Sequence, residues 1–209
     1  MHRFFEHLTA GVKFSGKAPT DVEALFVKWG RTHTLEHCVR VSREACQLAE
    51  RFSINGTEAE MAGLLHDISN IVPRSEMVAL AESLGLDILP EERVFPGILH
   101  QKLSAEMASQ IFRIESTSVL GAIGCHTTLK RGASSLDKAV FLADKIQWDQ
   151  PNGAPFGGAL LIALDRSLDD AVICYLNDLW ERRSDLGVLH PWMVEAREEL
   201  MGMGSSLSS

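Results

Sequence analysis

The sequence predicts an all-α protein with a single globular helical fold, on three observations. Apolar residues recur at helical spacing along most of the chain, capping signals open several of these stretches, and alternating strand-like runs of useful length are missing. The first strong stretch runs from Thr20 to Trp29, where Val22, Leu25, Phe26 and Trp29 form an i, i+3, i+4, i+7 stripe. Thr20 offers a cap, with Glu23 three residues on. Leu35 to Phe52 carries a second stripe through Val39, Cys46, Ala49 and Phe52, closed by Asn55-Gly56. Thr57 to Ile68 follows with Thr57 as cap and Glu60 behind it, ending before Asn70 and Pro73. Ser75 to Leu84 stops at Gly85, the residue expected beyond a helix C-terminus. His100 to Phe112, Thr117 to His126, Ser135 to Trp148, Gly158 to Arg183 and Pro191 to Met201 complete the predicted helices.

Composition narrows the function classes. At 209 residues, with 45% apolar and 23% charged side chains, the chain is long enough to bury a core without a disulfide or structural metal. Twenty-eight acids against twenty bases give a formal charge of −8, and no basic face for nucleic acid is evident. The longest apolar run, Ala154 to Leu164, contains two glycines and falls short of the roughly 20 residues that span a bilayer. The opening MHRFFEHLTAGVKF lacks a signal-peptide core. The expected partner is a small molecule, with no nucleic acid or membrane, in a cytoplasmic protein that could pair as a homodimer. Cys38, Cys46, Cys125 and Cys174 show no CxxC spacing and read as buried thiols in a reducing compartment. Residues 1–31 read as an N-terminal extension with a short helix, residues 32–201 as the main helical domain, and residues 202–209 as a disordered tail.

The chemistry resides in ordered histidines and acids. His66-Asp67 closes the helix MAGLLHDIS, and neighbours on a helix point about 100° apart. Both can therefore face one centre only where the helix borders a cleft. A neutral imidazole with a carboxylate suits a divalent ion such as Fe, Mn, Co or Zn. His37 lies near the start of an earlier helix, and Asp144 lies in the otherwise apolar SLDKAVFLADKI. A carboxylate on an apolar helix face needs a cation or a strong donor, and Lys145 or Lys138 could also serve. His100 opens one helix; His126 closes another beside Thr127 and Thr128. APFGGALL lacks the Lys-Ser/Thr of a phosphate loop and reads as a turn before a helix. The tryptophans read as helix packing, although Trp148 follows Asp144 closely enough to stack on a base.

Written as H…HD…D, the series His37, His66-Asp67 and Asp144 resembles the HD-domain superfamily of metal-dependent phosphohydrolases. HCVRVSREACQLAERF, AEMAGLLHDISN, ILHQKLSAEMA, AIGCHTTLKRGASSLDKAVFLADKI and VLHPWMVEAREEL together resemble the YqeK branch, across roughly Leu35 to Leu200. That branch is regarded as symmetrical bis(5′-nucleosyl)-tetraphosphatases, which split diadenosine tetraphosphate into two ADP. The resemblance implies that His37, His66, Asp67 and Asp144 hold one divalent metal, iron by preference. It also implies catalytic roles for Asp67, His100 and His126. A substrate-facing set of Thr34, His37, Asn70, His100, His126, Thr127, Asp144 and His190 follows from the same match. A second ion at His100 and His126, bridged by Asp67, is the alternative geometry. Three features depart from the branch: Thr34 stands where a basic residue is usual, Asn70 replaces the lysine of LLHDxxK, and Lys145, Gln147 and Trp148 replace the common tyrosine and Glu-Pro beyond Asp144. These departures keep open another HD nucleotidase or phosphodiesterase activity, or a nucleotide sensor without turnover. His33, four residues before His37, reads as structural or as a phosphate contact.

Overall fold

The computed structural model describes residues 1–148 and 157–206. Among the described residues there are only helices and their connections. In chain order these are α1 (Arg3–Thr9), α2 (Ala18–Lys28), α3 (Thr32–Arg51), α4 (Gly56–Leu65), a 3₁₀ turn (Ile68–Ile71), α5 (Arg74–Ser83) and α6 (Pro90–Val94). A second 3₁₀ turn (Pro96–Leu99) leads into α7 (His100–Phe112), followed by α8 (Thr117–Cys125) and α9 (Ser135–Ile146). The series ends with α10 (Gly157–Leu164), α11 (Leu168–Glu181), a short 3₁₀ turn (Arg183–Asp185) and α12 (Pro191–Ser206).

Local chemistry sets several boundaries away from those read in the sequence. The first long helix starts before Thr20, because Pro19 fits the unpaired first turn and Lys17 takes the cap position. Asn55, rather than Thr57, caps α4 by accepting the Glu58 amide. The single helix expected from Gly158 to Arg183 is two, since the Ser167 side chain accepts the Asp170 amide and starts α11 afresh. α12 runs on through residues 202–206, where the sequence alone suggests a tail; residues 207–209 lie outside the described residues. Of the APFGGALL turn, residues 154–156 likewise lie outside them. Cys38 and Cys125 are buried as expected, whereas Cys46 is exposed on α3 and Cys174 is partly covered.

The core lies between α3, α4, α7, α8 and α9. α3 packs on α4 and α9, α7 on α8, and α8 on α9. Leu65, Ile68, Leu103, Met107, Ile123 and Phe141 are fully or almost fully buried there. Burial of such side chains contributes about 1.5–3 kcal/mol each. The N-terminal segment joins this core through Phe5 and Leu8, and Trp29 and Lys28 both donate to the Leu8 carbonyl. No helix of the described residues is long and apolar enough to cross a membrane.

The α3–α4 contact brings backbone against backbone. A Cβ on Gly63 would lie 2.7 Å from Ser42 Cα and 2.9 Å from its nitrogen. Ser42 Oγ donates to the Glu60 carbonyl across the same seam. Because Gly63 also supplies a carbonyl to the site described below, this seam sets the distance between His37 and His66. Gly63→Ala is expected to destabilise by about 2 kcal/mol through overpacking. The thermal midpoint should fall by roughly 4–8 °C for a chain of this size. An unchanged midpoint would show that the two helices can separate freely.

Candidate metal centre

Three histidines occupy the ends of helical segments and are held there by the same bond. His66 ends α4, His100 follows the 3₁₀ turn at Pro96–Leu99, and His126 ends α8. Each donates its Nδ1–H to the carbonyl three residues back: His66 to Gly63 at 2.7 Å, His100 to Gly97 at 2.6 Å, His126 to Ile123 at 2.8 Å. Such carbonyls lie in a last helical turn that lacks onward partners. A carbonyl can only accept, so Nδ1 carries the proton and Nε2 of each neutral ring presents a lone pair.

Those lone pairs converge. His100 Nε2 lies 2.9 Å from His126 Nε2, and His66 Nε2 lies 3.3 Å from His37 Nε2. The His66 and His126 rings meet edge to face at 4.8 Å between centroids. His37 approaches from the second turn of α3, 3.1 Å from Asp144 Oδ1. Two nitrogen lone pairs at such distances repel each other unless a proton or a cation lies between them. The C-termini of α4 and α8 add the negative ends of their dipoles to the same place.

Asp67 sits in the middle because the helix ends at His66. Its backbone leaves helical geometry (φ −109°, ψ 15°), so its side chain turns back beside that of His66. Its Oδ2 lies 3.7 Å from His66 Nε2, and its Oδ1 lies 3.2 and 3.6 Å from the Nε2 atoms of His100 and His126. Oδ1 is buried without a well-angled hydrogen bond. Two ligand groups result: His37, His66 and Asp67; and Asp67, His100 and His126. In each, the donor atoms all lie within 4.8 Å of one another. Asp144 closes the first group from α9, its Oδ1 3.7 Å from His66 Nε2. A donor set of imidazole nitrogens and carboxylates around a buried, unsatisfied oxygen fits a divalent cation.

Electrostatics agree with the geometry. Burial pushes the Asp144 carboxyl up, but the Lys145 ammonium and His37 outweigh it and hold the group well below the usual carboxylate range. Burial raises Asp67 too, and His66, His100 and His126 overcome it. Burial pushes His66 down and takes His126 to about 4. His100 moves up, because Asp67 overrides the cost of burial. Lys145 is itself buried, donating to Asp144 Oδ2 at 2.6 Å and to the His126 carbonyl at 3.1 Å.

The site opens into a cavity of about 670 Å³ that also exposes Thr34, Asn70 and Thr127. His33, Lys145, Trp148 and Tyr175 line it as well. Of the residues expected at the substrate, all but one are thus gathered around this cavity. His190 is the exception. Its ring is buried, 3.3 Å from Glu92 Oε1, and its Nδ1 accepts the Trp192 amide. Lys102 pairs with the other Glu92 oxygen at 2.8 Å, so His190 belongs to a buried ion cluster joining α6, α7 and α12. Sequence reasoning missed the supports. Buried Gln101 receives the Thr127 and Thr128 amides, and Ser69 and Ser104 bond to each other, Ser69 also donating to the His100 carbonyl. A cavity of about 720 Å³ between the N-terminal segment and the end of α7 has no comparable ligand cluster. Its acid, Asp21, is engaged by Ser15 and Gly16.

The depressed His66 and His126 give a pH dependence with a definite sign. Below pH 6.5 the unfolded chain takes up protons that the folded state refuses. The metal-free protein should therefore lose stability as pH falls from about 6.5 toward 4. His100 works the other way, its contribution being present below pH 6.5 and lost as pH rises through its raised folded value. Urea unfolding across this range should show the fall, and His126→Gln should flatten it. An equally steep fall in the variant would contradict the assignment.

Comparison with known proteins places the chain. The HD domain family model matches residues 34–149. An uncharacterised protein encoded in the pepC 5′ region of Lactococcus lactis subsp. cremoris is 45% identical over 147 residues, covering 70% of this chain and 74% of that one. The symmetrical bis(5′-nucleosyl)-tetraphosphatase of Bacillus subtilis is 30% identical over 124 residues, covering 58% and 63% of the two chains. Against the three curated relatives with that name, the match spans 57 to 63% of their length, less than two thirds. A Clostridium acetobutylicum crystal structure, described as a predicted HD superfamily hydrolase involved in NAD metabolism, superposes with a TM-score of 0.80. Its sequence identity is 26%, with 91% of this chain and 98% of that chain covered. With more than half its length matched and the histidine–aspartate cluster in place, the chain belongs to the HD-domain family of hydrolases.

Proposed function

We propose that this HD-domain hydrolase splits dinucleoside tetraphosphates symmetrically into two nucleoside diphosphates. The observation that carries the reading is the convergence of two histidine groups on the two oxygens of Asp67, at the floor of a nucleotide-sized cavity. The Bacillus subtilis relative, named for symmetrical tetraphosphatase activity, supports this choice of substrate.

His37, His66, Asp67 and Asp144 would hold one divalent ion, and Asp67, His100 and His126 a second. The opposed lone pairs of His100 and His126 favour this two-ion arrangement over one in which those rings only face phosphate. Such ions supply Lewis acidity, making water a better nucleophile and a phosphoryl oxygen a better electron sink. The protein's own groups do the remainder. Asp67 orients the attacking water at a carboxylate oxygen, and the water's proton passes to solvent through the open cavity. The water oxygen bonds to one inner phosphorus, and the P–O bond to the central bridging oxygen breaks. That oxygen leaves with the other half, so both products are diphosphates. The Thr127 hydroxyl, 3.1 Å from His100 Nε2, stands on the cavity wall where it can donate to a phosphate oxygen. Lys145 keeps Asp144 Oδ2 engaged, which leaves Oδ1 facing His37 and His66. Trp148, 37% exposed at the rim, offers a ring face to a base.

Incubation of the purified protein with diadenosine tetraphosphate and Fe²⁺ or Mn²⁺, followed by chromatography, should yield ADP alone. ATP with AMP, inorganic phosphate, or unchanged substrate would contradict the reading. Asp67→Ala should reduce turnover at least ~10³-fold and lower metal content while helical circular dichroism persists. Full activity in that variant would refute the mechanism. Metal titration should find two equivalents per chain, falling to one in His100→Ala. One equivalent in both proteins would restore the single-ion arrangement.

A further inference from the structure

The floor of the catalytic cavity has a second opening. A smaller cavity of about 250 Å³ shares Asp67, Asn70, His100 and Thr127 with the larger one and extends toward α5 and α6. Arg74, the first residue of α5, and Phe95 line it. The Arg74 guanidinium stands 6.0 Å from the Phe95 ring centroid, and that ring is 45% exposed. Gly97 keeps the space between them open. A Cβ there would lie 3.3 Å from Phe95 Cε1 and 3.6 Å from Arg74 Nε.

Both openings reach Asp67, and each has a basic residue and an aromatic ring on its wall: Lys145 and Trp148 in the larger, Arg74 and Phe95 in the smaller. Lys145 is paired with Asp144, whereas Arg74 is exposed. The charges of Asp67 and Asp144 are taken up by Lys145 and by the ions these acids would hold, so phosphates lying beyond that centre, toward α5, gain from a cation of their own. Asn70, shared by both openings, brings no charge, and Arg74 supplies it four residues later. A ligand with one phosphate-bearing arm needs one opening. A ligand with two like arms uses both.

We propose that the Arg74–Phe95 cavity binds the second nucleotide arm of a dinucleoside polyphosphate, Arg74 gripping its phosphates and Phe95 stacking on its base. This rests on the proposed substrate, and it adds a site for the half that departs. The cavity holds the phosphates and ribose, and the base lies on the exposed ring at its mouth. Base–aromatic stacking tolerates any base, so this arm should show little base preference.

The test is equilibrium dialysis of ADP against the full-length protein, with and without Mn²⁺. The wild type should bind two ADP per chain in the presence of Mn²⁺, and Arg74→Gln/Phe95→Ala should bind one. Without Mn²⁺ the variant should still bind one fewer ADP than the wild type. Because both side chains are exposed, circular dichroism and the metal content of the variant should be unchanged. KM for diadenosine tetraphosphate should rise about tenfold in the variant, since a charge-assisted phosphate contact is lost. One ADP per chain in the wild type, or two in the variant, would overturn the proposal. Failure of the wild type to form ADP from diadenosine tetraphosphate would instead overturn the substrate reading. The ADP count does not depend on that result.

Discussion

Three Nδ1–H bonds from imidazoles to carbonyls three residues back set the geometry on which the site depends. Each uses an acceptor that a terminating helical segment leaves available, and each thereby commits one ring tautomer. With His66, His100 and His126 so fixed, three Nε2 lone pairs meet around Asp67. No side chain has to be held by a distant loop. The ends of α4 and α8 and the 3₁₀ turn before α7 place the rings, and the α3–α4 seam at Gly63 brings His37 to them. Secondary structure and ligand geometry are therefore one constraint: a helix that ran on past His66 would swing Asp67 away.

That constraint places several negative and electron-rich groups in a largely buried space, and the surroundings are arranged to tolerate them. Lys145 is the main counterweight, held between Asp144 and the His126 carbonyl and packed over the Phe141 ring at 4.8 Å. A buried ion pair contributes little net stability, but losing one member strands the other. The pair is better understood as a device that directs Asp144 Oδ1 than as a source of stability. The Glu92–His190–Lys102 cluster plays a separate part, anchoring α12 to the segment that precedes His100.

Much of the site was legible in the sequence because its residues are local signals at helix ends. The opening His100 and the closing His126 each stood at a boundary that the sequence located to within a residue, whereas the helix read as running to Ile68 ends at Leu65, which puts His66-Asp67 just beyond it. Asp144 was legible as an acid on an apolar face, and its ion pair with Lys145 was among the partners foreseen. What escaped was non-local or local in a subtler way. The Glu92 partner of His190 lies 98 residues away, and no spacing reveals it. Gln101, Ser69 and Ser104 look like ordinary helix polar residues until the fold buries them. The break before α11 turned on one Ser167 cap inside a continuous apolar pattern, where local hydrogen bonding defeated periodicity. Arg74 and Phe95 carry no motif, and only the shared walls of two cavities connect them to the chemistry.

The most direct measurement is anomalous diffraction at the manganese edge from crystals of the protein grown with Mn²⁺. The account predicts two peaks flanking Asp67, one among the ligand atoms of His37, His66 and Asp144 and one beside those of His100 and His126. A peak elsewhere in the molecule, or none between these side chains, would contradict it.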